Sequence, residues 1–432
     1  MGPQLHKGLN KQLNSSLKGN TTLVQQVSLI YRFVFTFWVL FIPALTLADS
    51  VTTKTYKELT QAQEQMGEDN IAGAITTLTA LLDSVKDESL DKALALQMLG
   101  YASMADERFG DAIIHLKQSL ALNKLPEQVK FNVGYMVAQL HAAQGEFEQA
   151  LTFAAEWFET LESPTPSQMM FMANIYAQTK QYKKAIPYAE QAILSSDKPR
   201  ESWFQLLTAS YFELKDFGSA ARTLKQIVNI WPENPSYWEQ LASVYVMLED
   251  EARALATLKL AWTAGTLSRE TSIKSMVQLA VARGIPEHAA RLLESGFEQD
   301  LLPRDESYVR LLANAWVAAR ENDAAILAFN ELARIESSGD PLLRAANLHI
   351  EQGKWDHAER MLQAAIDAGL KQPGKAWLLL GIARAEQENF KDSLAALRKA
   401  RTFDDTKRSA SRWLSYAQDM RKQYEWQLSY GE

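Results

Sequence analysis

The sequence predicts an all-α fold, a solenoid of about ten helix–turn–helix units, and two observations carry that prediction. A small residue recurs along the chain, alanine at Ala74, Ala112, Ala150, Ala185, Ala220, Ala254, Ala289, Ala325 and Ala358 and serine at Ser393. Its steps are 38, 38, 35, 35, 34, 35, 36, 33 and 35 residues, and a fixed period in this range marks a repeat array. No segment of useful length alternates apolar and polar residues as a half-buried strand would.

The units share an internal frame. Twelve residues before each anchor stands a second small residue: Ala62, Gly100, Ala138, Ala173, Ala242, Ala313, Ala346 and Gly381, with Thr208 and Val277 as larger exceptions. An aromatic precedes the anchor by three at Phe109, Phe147, Tyr182, Phe217, Trp355 and Phe390, and an apolar residue follows it by four, as at Leu116, Leu224 and Leu397. Apolar residues between these points recur at helical spacing, as in Ile186, Ala189 and Ile193. Two antiparallel helices per unit satisfy this frame, with the small residues where the backbones approach most closely. A single such hairpin cannot bury its own apolar face, so the units must stack.

The elements follow in order. Residues 1–48 contain no acidic residue; Lys7, Lys11, Lys18 and Arg32 precede an uncharged run from Phe33 to Ala48. That run is 16 residues long, short of the ~20 that span a bilayer, and it contains Pro43. It predicts an export signal cleaved after Ala48, with an uncleaved inner-membrane anchor as the alternative. A short linker at 49–54 leads into the array, 55–405. Breaks at Asp197–Pro199, Pro232–Pro235, Pro303 and Pro373 separate units, because proline and its preceding residue disfavour continued helix. Residues 406–432 read as a capping helix and tail, with Trp413, Tyr416 and Met420 between charges.

This pattern resembles the tetratricopeptide repeat (TPR) family. The best-matching units read Trp238, Leu241, Ala242, Tyr245, Ala254, Leu258, Ala261 and Trp377, Leu380, Gly381, Phe390, Leu397, Ala400. The first and sixth units are looser, the sixth with Pro286 in the aromatic position. The resemblance implies a right-handed superhelical solenoid that binds protein and carries no catalytic residues.

Composition narrows the function further. The chain has 432 residues, 47% of them hydrophobic, and no cysteine, which excludes disulfides, thiolate metal sites and a cysteine nucleophile. Residues 1–48 hold four of the 45 basic residues, so without them the net charge moves from −7 to −11. So acidic a surface repels phosphate backbones, and no basic stripe with interleaved aromatics offsets it; nucleic acid is not an expected partner. Membrane contact is expected only through the N-terminal segment if it is not cleaved.

No motif points to catalysis or to a cofactor. The string Gly369–Leu370–Lys371–Gln372–Pro373–Gly374–Lys375–Ala376 approaches a phosphate-binding loop, but Ala376 stands where a hydroxyl would ligate magnesium, and the string joins two helices. The six histidines, His6, His115, His141, His288, His349 and His357, show no i, i+4 metal pair.

In TPR folds the first helix of each unit lines a concave groove through its second, fifth, ninth and twelfth positions. Here the ninth reads Gln139, Asn174, Ala209, Ser243, Gln278, Asn314 and Asn347. Amides suit an extended peptide, whose backbone offers a donor and an acceptor at each non-proline residue. Arg310, Arg344 and Lys375 lie near the same face and partly resemble a carboxylate clamp, with Leu379 where the last cation would stand. The candidate groove residues are therefore Gln139, Asn174, Gln278, Arg310, Asn314, Arg344, Asn347 and Lys375.

Longer strings resemble a narrower family: Leu120–Ala121–Leu122–Asn123–Lys124–Leu125–Pro126–Glu127–Gln128–Val129, Lys198–Pro199–Arg200–Glu201–Ser202–Trp203–Phe204–Gln205–Leu206–Leu207, Gly284–Ile285–Pro286, and Ala376–Trp377–Leu378–Leu379–Leu380–Gly381–Ile382–Ala383. These are similar to exported TPR proteins associated with TonB–ExbB–ExbD systems. The resemblance implies a non-enzymatic periplasmic scaffold of a Gram-negative bacterium, with TonB, ExbB or ExbD-type proteins as partners. An adaptor for envelope assembly or polysaccharide export is the alternative reading, and an envelope-modifying enzyme a third.

Overall fold

The anchors that set the period are the most deeply buried positions in the molecule. In a computed structural model describing residues 51–159 and 161–430, all nine alanines and Ser393 are 0% exposed. The expected export signal, 1–48, lies outside the described residues.

The described chain is entirely helical and forms two compact units, residues 51–231 and 232–430. The division falls at the proline-marked break Pro232–Pro235. In the first unit, first helices α1 (Thr53–Gly67), α3 (Leu90–Ala105), α5 (Glu127–Ala143), α7 (Pro166–Gln178) and α9 (Glu201–Glu213) alternate with second helices α2 (Ile71–Ser84), α4 (Phe109–Ala121), α6 (Phe147–Phe158), α8 (Tyr182–Leu194) and α10 (Phe217–Ile230). In the second unit the first helices are α11 (Pro235–Met247), α13 (Glu270–Ala282), α15 (Glu306–Ala318), α17 (Asp340–Glu351) and α19 (Pro373–Glu386). Their partners are α12 (Glu251–Thr263), α14 (Pro286–Glu298), α16 (Asn322–Glu336), α18 (Trp355–Asp367) and α20 (Phe390–Ala400), and α21 (Lys407–Tyr430) closes the unit.

Close helix approach explains the small residues. A Cβ on Gly100 would come within 2.6 Å of Leu116, and one on Gly381 within 2.5 Å of Leu397, the apolar residues four past the respective anchors. Serine replaces alanine at Ser393 without an orphaned hydroxyl, because Oγ donates to the Gly381 carbonyl at 2.7 Å. The six aromatics of the frame are each the first residue of a second helix. Pro286 is likewise the first residue of α14, a position that needs no backbone donor.

Each hairpin turns in the same way. The residue five before every anchor has positive φ, from +57° at Glu107 to +79° at Gly145. The next residue donates its N–H back five residues, as Asp216 does to Tyr211 at 2.9 Å and Glu321 to Trp316 at 3.0 Å. This is the six-to-one bond that closes a helix through a left-handed residue.

Helix α21 repeats the first-helix seam. Ala376, Leu380 and Ala383 of α19 recur 34 residues later as Ala410, Leu414 and Ala417, all at most 6% exposed. The face that would take a second helix of its own is polar and exposed, at Ser411, Ser415 and Gln418. A first helix with such a face solvates the end of a stack.

Candidate protein-binding face

The two units present different surfaces at the expected groove positions, the residues eighteen, fifteen, eleven and eight before each anchor. In residues 51–231 none of these residues is charged, and beyond the outermost row none is exposed. Met66, Gln97, Met104, Ala142, Met170, Ala177 and Ala209 are all buried. Tyr135 stacks on Trp157 with ring centroids 4.0 Å apart and meets Phe171 edge-on at 5.1 Å. Burial pushes its hydroxyl up to about 12, a hydrogen bond with Gln139 pulling slightly the other way. Gln139 is thus engaged by its own helix, while Asn174 is half-buried with no hydrogen-bond partner among the described residues.

In residues 232–430 the same rows are exposed on α13 and α15, at Lys274, Val281, Asn314 and Val317, and half-buried on α11 and α17. The innermost row reads Val246, Val281, Val317, Ile350 and Ala385, with Val281 45% and Val317 38% exposed and Ala385 0% exposed. Beside it run Ser243, Gln278, Asn314 and Asn347, then Glu239, Lys274 and Arg310. An aliphatic row next to an amide row can receive both the side chains and the backbone of an extended segment.

The sequence-level cations do not converge as one clamp. Arg310 donates to Glu306 at 2.7 Å and to Glu336 at 2.6 Å, and Glu336 is only 15% exposed. Arg344 donates to Asn314 Oδ1 at 3.1 Å and lies 5.8 Å over the Phe329 ring. Asn347 donates to the Leu343 carbonyl at 2.9 Å. Gln278 and Lys375 have no side-chain partner among the described residues, and Lys375 is exposed. The neutralising carboxylate for Arg310 comes from the far end of α16, a pairing invisible to a frame drawn on first helices alone. The aliphatic row escaped the sequence reading too, although valine or isoleucine recurs eight residues before four consecutive anchors.

Other motifs resolve structurally. The Gly369–Ala376 string joins α18 to α19, and a Cβ on Gly374 would meet Thr406 Oγ1 at 2.6 Å and Asp405 Oδ1 at 2.8 Å. A carboxylate of the chain itself therefore occupies the place where a phosphate would have to approach. His141 Nδ1 pairs with Glu146 at 2.6 Å against Phe153, and the His349 and His357 rings lie 5.3 Å apart. Burial, reinforced by His357 and Lys354, holds His349 below its ordinary value. Among the described residues no group of three or more His, Cys, Asp or Glu could hold a metal ion, and no helix is long and apolar enough to cross a membrane.

Residues 343–407 match the tetratricopeptide repeat family model, and residues 127–270 match that of the ChAPs, the Chs5p-Arf1p-binding proteins. No curated protein matches the chain. Similar solved structures include a tetratricopeptide repeat protein from Parabacteroides merdae, 16% identical over 61% of this chain and 99% of its own, with a TM-score of 0.36. The P58(IPK) TPR domain is 14% identical over 86% of this chain and 99% of its own, TM-score 0.24. MamA from Desulfovibrio magneticus RS-1 is 13% identical over 49% of this chain and 95% of its own, TM-score 0.29. The class is an all-helical array of TPR-type hairpins.

Proposed function

We propose that this protein is a non-enzymatic scaffold that binds protein segments on the first-helix face of residues 232–430. The observation that carries the reading is the contrast between α13 and α15, where adjoining aliphatic and amide rows are exposed, and the closed face of residues 51–231. The finer assignment is a periplasmic accessory of a TonB–ExbB–ExbD-type system. Its support is in the sequence: the strings at 120–129, 198–207, 284–286 and 376–383, and the basic-then-apolar segment ahead of Asp49.

A crosslinking pulldown of the full chain from membranes of iron-starved cells, read by mass spectrometry, tests both levels. Recovery of TonB, ExbB or ExbD is expected. Recovery of envelope-assembly or polysaccharide-export proteins instead keeps the scaffold and replaces the system. Recovery of no protein at all removes the scaffold reading.

A further inference from the structure

The open face changes character along its length. On α13 and α15 it is polar, with Thr271, Lys274, Ser307 and Asn314 exposed. Toward α19 and α21 the corresponding rows hold Leu378, Ile382 and Tyr416, with Trp413 and Met420 beside them. Trp413 and Leu378 rest on the same buried cluster, which includes Ala385, Leu397, Leu414 and Ala417. The Trp413 ring meets Tyr416 edge-to-face at 5.3 Å and 88°, and Tyr416 is left 52% exposed. An amphipathic aromatic pair held on a packed base is the kind of surface that anchors a partner side chain.

The rim of this platform carries three cations without an ion pair, beside the Asp404 and Asp405 carboxylates that lie at the start of α19 and α21. Lys375 lies in the first turn of α19, and Arg408 and Arg412 in the first two turns of α21. All three are exposed, and none has a carboxylate partner among the described residues. Elsewhere in the unit Arg253, Arg269, Arg291, Arg304, Arg310 and Arg384 are ion-paired, whereas Arg283, Arg320, Arg334, Arg398 and Arg401 are not, among the described residues. Asp419, on the same helix, is held by Lys422 at 3.5 Å. Two helix N-termini add partial positive charge at this end, in a chain whose net charge is −7.

We infer that the α19–α21 end of the face binds an acidic protein segment, its aromatic or aliphatic side chains on Tyr416 and Trp413 and its carboxylates toward Lys375, Arg408 and Arg412. This rests on the protein-binding reading of the face given above. It differs from a carboxylate clamp at Arg310 and Arg344, because both of those cations already have partners in the chain.

The test uses the full chain and two fluorescein-labelled twelve-residue peptides, one alternating Glu with Phe and Leu, the other with Lys in place of Glu, followed by fluorescence anisotropy. The Glu peptide is expected to bind at least about tenfold more tightly than the Lys peptide and to weaken with added salt. Tyr416→Ser and Arg412→Glu, which alter only exposed groups, should each weaken it by about tenfold with an unchanged thermal midpoint. Equal binding of the two peptides, or unaffected binding in both variants, overturns the inference. So does capture of phosphatidylglycerol vesicles in place of the peptide, which would make this end a lipid-facing surface. The pulldown separates the two levels. Partners retained by both variants leave the scaffold standing without this docking site, whereas no partners even for the unaltered chain remove the scaffold itself.

Discussion

The two halves of the array use one frame to opposite ends. In residues 51–231 the inner rows of the first-helix face carry methionine, alanine, glutamine and tyrosine and none is exposed, while in residues 232–430 valine, amides and charges stand in the same rows and reach solvent on α13 and α15. The anchors are equally buried in both units, so hairpin formation does not account for the difference. What differs is the row eight residues before the anchor. Flexible Met66 and Met104 and small Ala142 and Ala177 are buried, whereas Val281 and Val317 are not. Methionine fills irregular gaps, so that row is core at Met66 and Met104 and surface at Val281 and Val317.

The largest expected effect comes from placing a charge at equivalent points of the two faces. Met104→Glu buries a carboxylate in the cluster with Ala112, Leu116 and Val137, and should cost about 3 kcal/mol or more. Val317→Glu should stay within about 0.5 kcal/mol. Urea unfolding followed by circular dichroism measures both, and similar losses would break the comparison.

The frame was legible because it depends on side-chain volume. Gly100, Ala138 and Gly381 must be small, and Phe109 and Phe390 must fill a junction, whatever else changes. The turns were not legible. Asp69, Lys180, Lys215, Glu249 and Arg320 all adopt the left-handed conformation with φ between +58° and +63°. The backbone bond across the turn imposes that conformation; the position holds a charged residue or, at Gly145, Gly284 and Gly353, glycine, and a surface charge by itself does not signal a left-handed turn. The candidate groove was legible in part. Counting from the anchors places Gln278, Asn314 and Asn347 in one row of successive first helices. The ion pair from Arg310 to Glu336 crosses 26 residues and depends on how a hairpin closes. Nothing local at Arg310 signals it.

The closed face should also be sensitive to alkali. Tyr135 is neutral in the folded state and its hydroxyl is raised from 10.0 to about 12 by burial, so the unfolded chain releases this proton first as the pH rises. The associated stability is fully present below pH 10.0 and is lost as pH approaches about 12. It amounts to something on the order of 2 kcal/mol. Tyr135→Phe should flatten the fall in unfolding free energy across that window. An unchanged slope would mean that the face admits water.

The turns, common to both units, supply a control on this contrast. Lys215→Gly in the first unit and Arg320→Gly in the second each relieve a left-handed residue in an exposed turn. Each should stabilise by about 0.5–1 kcal/mol after glycine's greater chain entropy is included. Thermal unfolding of the two variants should therefore give matching gains. Unequal gains would show that the units differ in their hairpins and not only in their faces.

The smallest effect is expected where the sequence suggested a large one. Arg310 is part of the open face, but Glu306 and Glu336 already neutralise it. Arg310→Ala removes a half-exposed pair that contributes about 1 kcal/mol at most. It leaves Glu336 facing the groove, which adds a negative charge where the clamp reading requires a positive one. Affinity for a partner recovered in the pulldown should nevertheless change by less than about twofold, since the guanidinium was never free to meet it. Isothermal titration of the variant with that partner decides the point. A tenfold loss would mean that the partner displaces Glu336 and takes Arg310 for itself, restoring a clamp centred on α15.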